Sequence, residues 1–241
     1  MKKKRCGKII RNTVLALFLL CVCAAGALAL RGYSLYTSAL AAKPVSKAVK
    51  EVREQPGFTP LASLPETYPQ AVLAVEDHRF YEHGGVDFKA IARAALHDLQ
   101  AMSLVEGGST ITQQLAKNLY FTQEKEFTRK IAEMFMAWKL ESQFSKDEIL
   151  ELYVNSIYFG SGCYNVGDAC REYFGKDPSQ MDDYEATLLA GIPNAPSVYD
   201  LNENPDLAHQ RQKQVLGLMV KYSGLDPNRV DSILACAAPA A

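Results

Sequence analysis

The feature that most constrains this chain is a charge-free run, Thr13 to Leu30, with Val14, Leu15, Leu17, Phe18, Leu19, Leu20, Val22, Leu28 and Leu30 along it. At the α-helical rise its length just reaches across a bilayer core of roughly 30 Å. Lys2, Lys3, Lys4, Arg5, Lys8 and Arg11 precede it and Arg31 follows. Basic residues stay on the cytoplasmic side, so residues 1–12 read as a cytoplasmic tail, 13–30 as a signal anchor and the rest as extracytoplasmic. The competing reading is a cleaved signal peptide with Ala27-Leu28-Ala29 at the cleavage point, but the run is long for a signal sequence.

Beyond the anchor the chain can build a core. Of 241 residues 48% are hydrophobic and 22% charged, which excludes a disordered or low-complexity scaffold. The seven basic residues up to Arg31 face no acid there, so the remainder holds 19 bases against 27 acids, a net of −8. Such a body is a poor general partner for nucleic acid, and an anionic ligand would need a local basic cluster. Cys163, Cys170 and Cys236 would be exported, an odd number that makes no complete disulfide framework. Cys163 and Cys170 read equally as a pair or as buried thiols. No C-x-x-C spacing supports a zinc site.

Residues 32–60 read as a stalk, and from Leu61 the texture is helical, with no convincing alternating run. Thr67 with Gln70 predicts a capped helix running to His83 and stopping at Gly84-Gly85. Asp87 caps the next, with Phe88, Ile91, Ala92, Ala95 and Leu99 as a core stripe. Ser109 caps a helix to about Leu119. A further helix over Phe127–Leu140 buries Ile131, Met134, Phe135 and Trp138. Ser145 through Glu148 forms a capping box for a helix to about Tyr158. After a Gly-rich loop at 160–167, helices follow from Asp182 or Asp183 to Gly191 and from Asp206 to Tyr222, the last clear one. Residues 223–241 read as a tail.

Three segments carry candidate chemistry. In Glu76-Asp77-His78-Arg79-Phe80-Tyr81-Glu82-His83, helical spacing puts Glu76, Phe80 and His83 on one face, a carboxylate beside an aromatic and an imidazole. Alone, it reads first as a charged helix end with one buried Phe. Glu106-Gly107-Gly108-Ser109-Thr110 feeds a helix whose N-terminus suits an anion, and Thr110, Gln114 and Lys117 share a face. In Arg129-Lys130-Ile131-Ala132-Glu133, a second carboxylate sits beside two cations; alone, it reads as a surface ion pair. Together these suit displacement of a phosphate-type leaving group from a sugar on a lipid carrier.

In their order, EDHRFYEHGGVD, GGSTITQQLAKN, RKIAE, ILELYVNSIYFG, YFGK and ATLLAGIPNAPSVY resemble the family 51 glycosyltransferases, the peptidoglycan-polymerising domains of class A penicillin-binding proteins and their monofunctional relatives. The resemblance covers about Leu61 to Tyr222. It implies a mainly α fold, a lysozyme-like lobe plus a smaller membrane-associated jaw lobe, after one transmembrane helix. With no transpeptidase sequence following, it implies a monofunctional enzyme that transfers a polyprenyl-diphosphate-linked glycan to the 4-hydroxyl of lipid II with inversion. Glu76 matches the catalytic base and Glu133 the second glutamate. Asp77, Phe80, His83, Ser109, Thr110, Gln114, Lys117, Asn118, Arg129 and Lys130 match substrate-binding motif positions. Lys117, Arg129 and Lys130 are assigned to the leaving-group charge. The implied partners are lipid II, lipid-linked glycan, the membrane and other cell-wall synthesis proteins, with no nucleic acid. The sequence assigns no certain cofactor; the chemistry of a diphosphate admits a divalent cation, Mg or Mn, beside it. A lysozyme-like hydrolase or lytic transglycosylase is the alternative enzyme, and a wall-binding scaffold the non-enzymatic one. The basic and Gly-Gly blocks argue against a hydrolase, which needs no diphosphate clamp.

Overall fold

A computed structural model describes residues 2–101, 108–121 and 127–236, with side chains described outside 2–10 and 95–101. Every regular element among these residues is helical. The expected loop residues 103–107 and 122–126, Glu106 and Gly107 among them, lie outside the described residues.

The apolar run opens one long helix, α1 (Lys2–Ala42), that does not stop at Leu30. From Arg11 to Ala42 it is long and apolar enough to cross a membrane, and its most apolar window has no residue buried against the protein. Its outer end packs along α6 (Phe127–Glu141). Gly32 permits this, because a Cβ there would lie 2.5 Å from Ile131 Cγ2. Tyr33 and Tyr36 then meet Phe135, with ring centroids 5.3 and 5.8 Å away.

The stalk reading of 32–60 is corrected by α2 (Val45–Arg53), which buries Val45, Ala48, Val49 and Val52 in the main core. Asn155 at the end of α7 (Lys146–Val154) then binds Thr59 through both its backbone N–H and its carbonyl, each at 2.8 Å. The folded body therefore starts before Leu61.

Local capping signals fix most other helix starts. Ser145 and Glu148 form a reciprocal capping box on α7, which ends at Val154 rather than near Tyr158. Asp182 and Glu185 form another on α9 (Asp183–Gly191). Asp87 accepts from the backbone N–H groups of Lys89 and Ala90 at the start of α4 (Phe88–Ala101). α8 (Val166–Phe174), the short α10 (Pro196–Tyr199) and α11 (Pro205–Tyr222) complete the body. The expected tail contains a further helix, α12 (Pro227–Ala235), that buries Ile233 and contacts α9. Cys163 and Cys170 are buried free thiols, and burial pushes Cys170 up to about 11.

Three expectations fail for one reason: neighbours distant in sequence redraw which face is inside. The helix α3 (Thr67–Glu76) ends seven residues before His83, and Thr67 Oγ1 donates to Asp183 instead of capping. The core stripe assigned to α4 is outside at the positions described: Phe88 is 63% exposed and Ile91 38%. On α6 the buried face is Ala132, Glu133, Met136, Ala137 and Leu140. Ile131 and Phe135 are covered only in part, by α1, and Trp138 is 43% exposed.

Val52→Ala removes two buried methyls and is expected to cost about 2 kcal/mol. Lys50→Ala, on the exposed face of α2, should stay within about 0.5 kcal/mol. Urea denaturation of the full chain in detergent measures both; equal effects would return α2 to the stalk.

Candidate active site

The break after Glu76 creates the site. Asp77 leaves the helix with φ −161° and is only 9% exposed. One of its oxygens accepts the N–H of Ile111, the first residue of α5 (Ile111–Tyr120), at 3.1 Å. The other faces His83 Nε2 at 2.8 Å. Gly85 completes the junction. Its carbonyl accepts the Thr110 hydroxyl at 2.8 Å, and a Cβ on it would come within 2.7 Å of the α6 backbone at Ala137. Gly85, unlike Gly84, is thus a close-packing requirement.

This junction sets the last turn of α3 beside α5. Glu76 Oε2 accepts from Gln114 Nε2 at 2.8 Å. The Gln114 carbonyl oxygen in turn accepts the hydroxyl of Tyr153, a fully buried α7 residue, at 3.1 Å. A neutral phenol can donate here, so the Gln114 amide is held with its NH2 toward Glu76. Glu76 Oε1 is buried without a hydrogen-bond partner. Burial pushes the carboxyl above the ordinary carboxylate range, against the Gln114 hydrogen bond and the positive charges of Arg211 and Lys117.

Glu76 opens into a cleft of about 480 Å³ that is also lined by Ser109, Gln114, Lys117, Arg93, Arg211, Asn194, His78 and Tyr222. Lys117 is drawn below the ordinary ammonium range by burial, and Lys130 and Arg129 push the same way while Glu133 and Glu76 oppose them. On α6, Glu133 is 1% exposed, with Arg129 Nε 3.0 Å from one oxygen and Lys130 Nζ 2.9 Å from the other. The expected surface ion pair is therefore interior. Lys130 also donates to Ser109 Oγ at 2.5 Å, which links this cluster to the cleft.

The remaining assigned residues divide. Asp77 and Thr110 border a small crevice adjoining the cleft, and both are engaged by neighbouring backbone. Thr110, not Ser109, is the N-cap of α5, in a box with Gln113. It is 2% exposed, so its hydroxyl is not offered to a ligand as its helical spacing suggested. Phe80 is 1% exposed under the Lys146 ammonium, 4.3 Å from the ring centroid, and belongs to the core behind the wall. Asn118 is half-buried on α5 outside the cleft lining. The Leu119-Tyr120-Phe121 segment, a candidate for dipping into lipid, packs on the main core.

Sequence reasoning missed Arg93, Arg211 and Tyr153. Arg211 reaches the cleft because Gly191 leaves space: a Cβ there would sit 3.0 Å from Arg211 Cγ. That glycine lies inside the quoted ATLLAGIPNAPSVY block and was the available signal. Among the described residues no group of three His, Cys, Asp or Glu could hold a metal ion, and the carboxylate nearest the cations, Glu133, is already paired twice. The described residues therefore form no cage for a divalent cation.

The family described as Transglycosylase matches residues 43–220. The chain belongs to the transglycosylase family. Penicillin-binding protein 2D of Bacillus subtilis is 45% identical over 73% of this chain and 26% of its own length. Penicillin-binding protein 1A of Neisseria lactamica is 45% identical over 73% of this chain and 22% of its own. A Cupriavidus necator protein whose name carries the word transglycosylase is 40% identical over 79% of this chain and 82% of its own. The chain thus spans about a quarter of the penicillin-binding proteins it matches. The transglycosylase match begins at residue 43, beside α2, consistent with the burial of that helix.

Because the raised carboxyl of Glu76 disfavours its charged form in the fold, its ionisation costs stability as pH rises through the folded-state value. Below about pH 4.5, the ordinary value, that cost is absent. Glu76→Gln is therefore expected to melt higher than wild type near neutral pH, with the difference shrinking toward pH 4. A difference independent of pH contradicts the assignment. Tyr153→Phe strands the Gln114 carbonyl oxygen and should cost about 1–3 kcal/mol in the same melts.

Proposed function

We propose that this transglycosylase polymerises lipid II, using Glu76 to take the proton of the acceptor's 4-hydroxyl as that oxygen attacks the donor's anomeric carbon. The carbon–oxygen bond to the acceptor forms and the bond to the lipid diphosphate breaks, with inversion. The proton goes to Glu76 and the electron pair leaves with the diphosphate. The observation that carries this reading is the unpartnered, buried Oε1 of Glu76 in a cleft that also holds Lys117, Arg93 and Arg211.

A hydroxyl is a weak nucleophile, and a carboxylate made more basic by burial is the group suited to it. Gln114 orients that carboxylate. Lys117 meets the developing charge on the diphosphate in a site where water screens poorly. Glu133 holds Arg129 and Lys130 in place, and with both its oxygens engaged it is not a free second acid. That disfavours a hydrolytic pair of carboxylates. A divalent cation, if used, would arrive with the diphosphate rather than be caged by protein. The apolar α1 anchors the body, with its basic end in the cytoplasm and the cleft outside, and brings it to substrates that stay in the bilayer. Other cell-wall synthesis proteins are the expected partners.

Purified full-length chain in detergent, given lipid II, should build glycan chains resolvable by mass spectrometry. Glu76→Gln should lower turnover by about 100-fold or more with the fold intact. Lys117→Ala should impair use of the donor more than binding of the acceptor. Polymerisation at the wild-type rate by Glu76→Gln rejects the proposal, and release of short muropeptides from finished wall would point to a hydrolase.

A further inference from the structure

Behind the cleft wall, His83 and Asp77 form a pair that the chemistry above does not use. Both side chains are 7% exposed. His83 Nε2 lies 2.8 Å from Asp77 Oδ1, and Nδ1 lies 2.5 Å from the carbonyl oxygen of Gly84. A carbonyl oxygen only accepts, so Nδ1 carries a proton. A second proton must lie between Nε2 and the carboxylate, because two bare lone pairs at that distance repel. The pair therefore holds one proton more than a neutral imidazole beside a carboxylate, whichever atom carries it.

The other Asp77 oxygen receives the N–H of Ile111, one of the helix-start donors that have no partner within α5. The first two turns of that helix then carry Gln114 to Glu76 and Lys117 into the cleft. We infer that His83 is a positioning residue: the proton it shares with Asp77 fixes the start of α5, and through α5 the amide on Glu76 and the ammonium in the cleft. The inference rests on the transferase reading of that cleft. His83 itself is absent from the cleft lining.

The groups around His83 favour keeping the proton. Burial opposes it, but the Asp77 hydrogen bond and the Gly84 carbonyl outweigh burial, and the imidazole titrates above its ordinary value of 6.5. Asp87, at the start of α4, adds negative charge from one side, and Lys146 of α7 adds positive charge from another. Arg79 already spends its charge on Asp87, at 2.8 Å. Once the shared proton leaves, the Nε2 lone pair faces Asp77 and the anchor on Ile111 loosens.

The test follows lipid II turnover by the full chain in detergent from about pH 6 to pH 10, in wild type, His83→Gln and His83→Ala. The glutamine nitrogen reaches Asp77 much as Nε2 does, donates a hydrogen bond and does not titrate in this range. His83→Gln should keep at least about a tenth of wild-type kcat at neutrality and lose the first alkaline fall. His83→Ala should lose roughly 100-fold in kcat with little change in KM, as expected when a catalytic group is misplaced by about 1 Å. An alkaline fall in His83→Gln at the wild-type position, or a loss in His83→Ala that falls wholly on KM, overturns the inference. Nitrogen NMR of the imidazole, assigned by its disappearance in His83→Gln, reads the proton without any turnover. Both ring nitrogens should be protonated or proton-sharing at pH 7, and a bare Nε2 overturns the inference. A wild type that does not polymerise would defeat the functional reading alone and leave this one to be judged by the spectrum.

Discussion

The site depends on one carboxylate, Asp77, which does what neither neighbouring helix can do for itself. A helix end exposes carbonyls and a helix start exposes N–H groups, and both need partners once buried. Asp77 ends α3 directly after Glu76 and satisfies the start of α5 with the same side chain. Had α3 continued, Glu76 would sit in the middle of a helix, and the start of α5 would keep its Thr110–Gln113 box but lose the carboxylate that takes the Ile111 N–H. The termination turns two helices into the floor and wall of a cleft.

Around that junction the charges are nested rather than spread. Glu133 is surrounded by Arg129 and Lys130, and Lys130 reaches Ser109 at the cleft edge. A buried ion pair contributes little net stability against its desolvation, so such a cluster is better understood as fixing geometry than as holding the fold together. The core that does hold it runs from α2 through α3, α5, α7 and α9.

How much of this was legible follows from how local each signal is. Asp87, Ser145 and Asp182 cap helices by contacts within three residues; the first two were readable outright and the third was one of two candidates beside Asp183. The residues gathered at the cleft, Glu76, Gln114 and Lys117, were also readable because they sit in long motifs. The faces of α4 and α6 were not. An apolar stripe says that something must cover it, but not what does: on α6 the cover is α1 on one side and the core on the other. Glu133 looked like a surface residue because its spacing opposed that stripe, while its interior place depends on cations that compensate it. Arg211 was hidden because the glycine that admits it lies twenty positions earlier in the chain.

The unbroken course of α1 has a mechanical consequence. A helix that runs unbroken from its apolar stretch into its dock on α6 joins the domain to that stretch as a blade is joined to a shaft. Its distance and its heading relative to the apolar stretch are set by residue count. Each residue added to the shaft below the dock would turn the blade by about 100° and lift it by about 1.5 Å. The direction in which the cleft opens relative to the apolar stretch changes with that rotation, so the number of residues in α1 ahead of its dock sets how the site is presented.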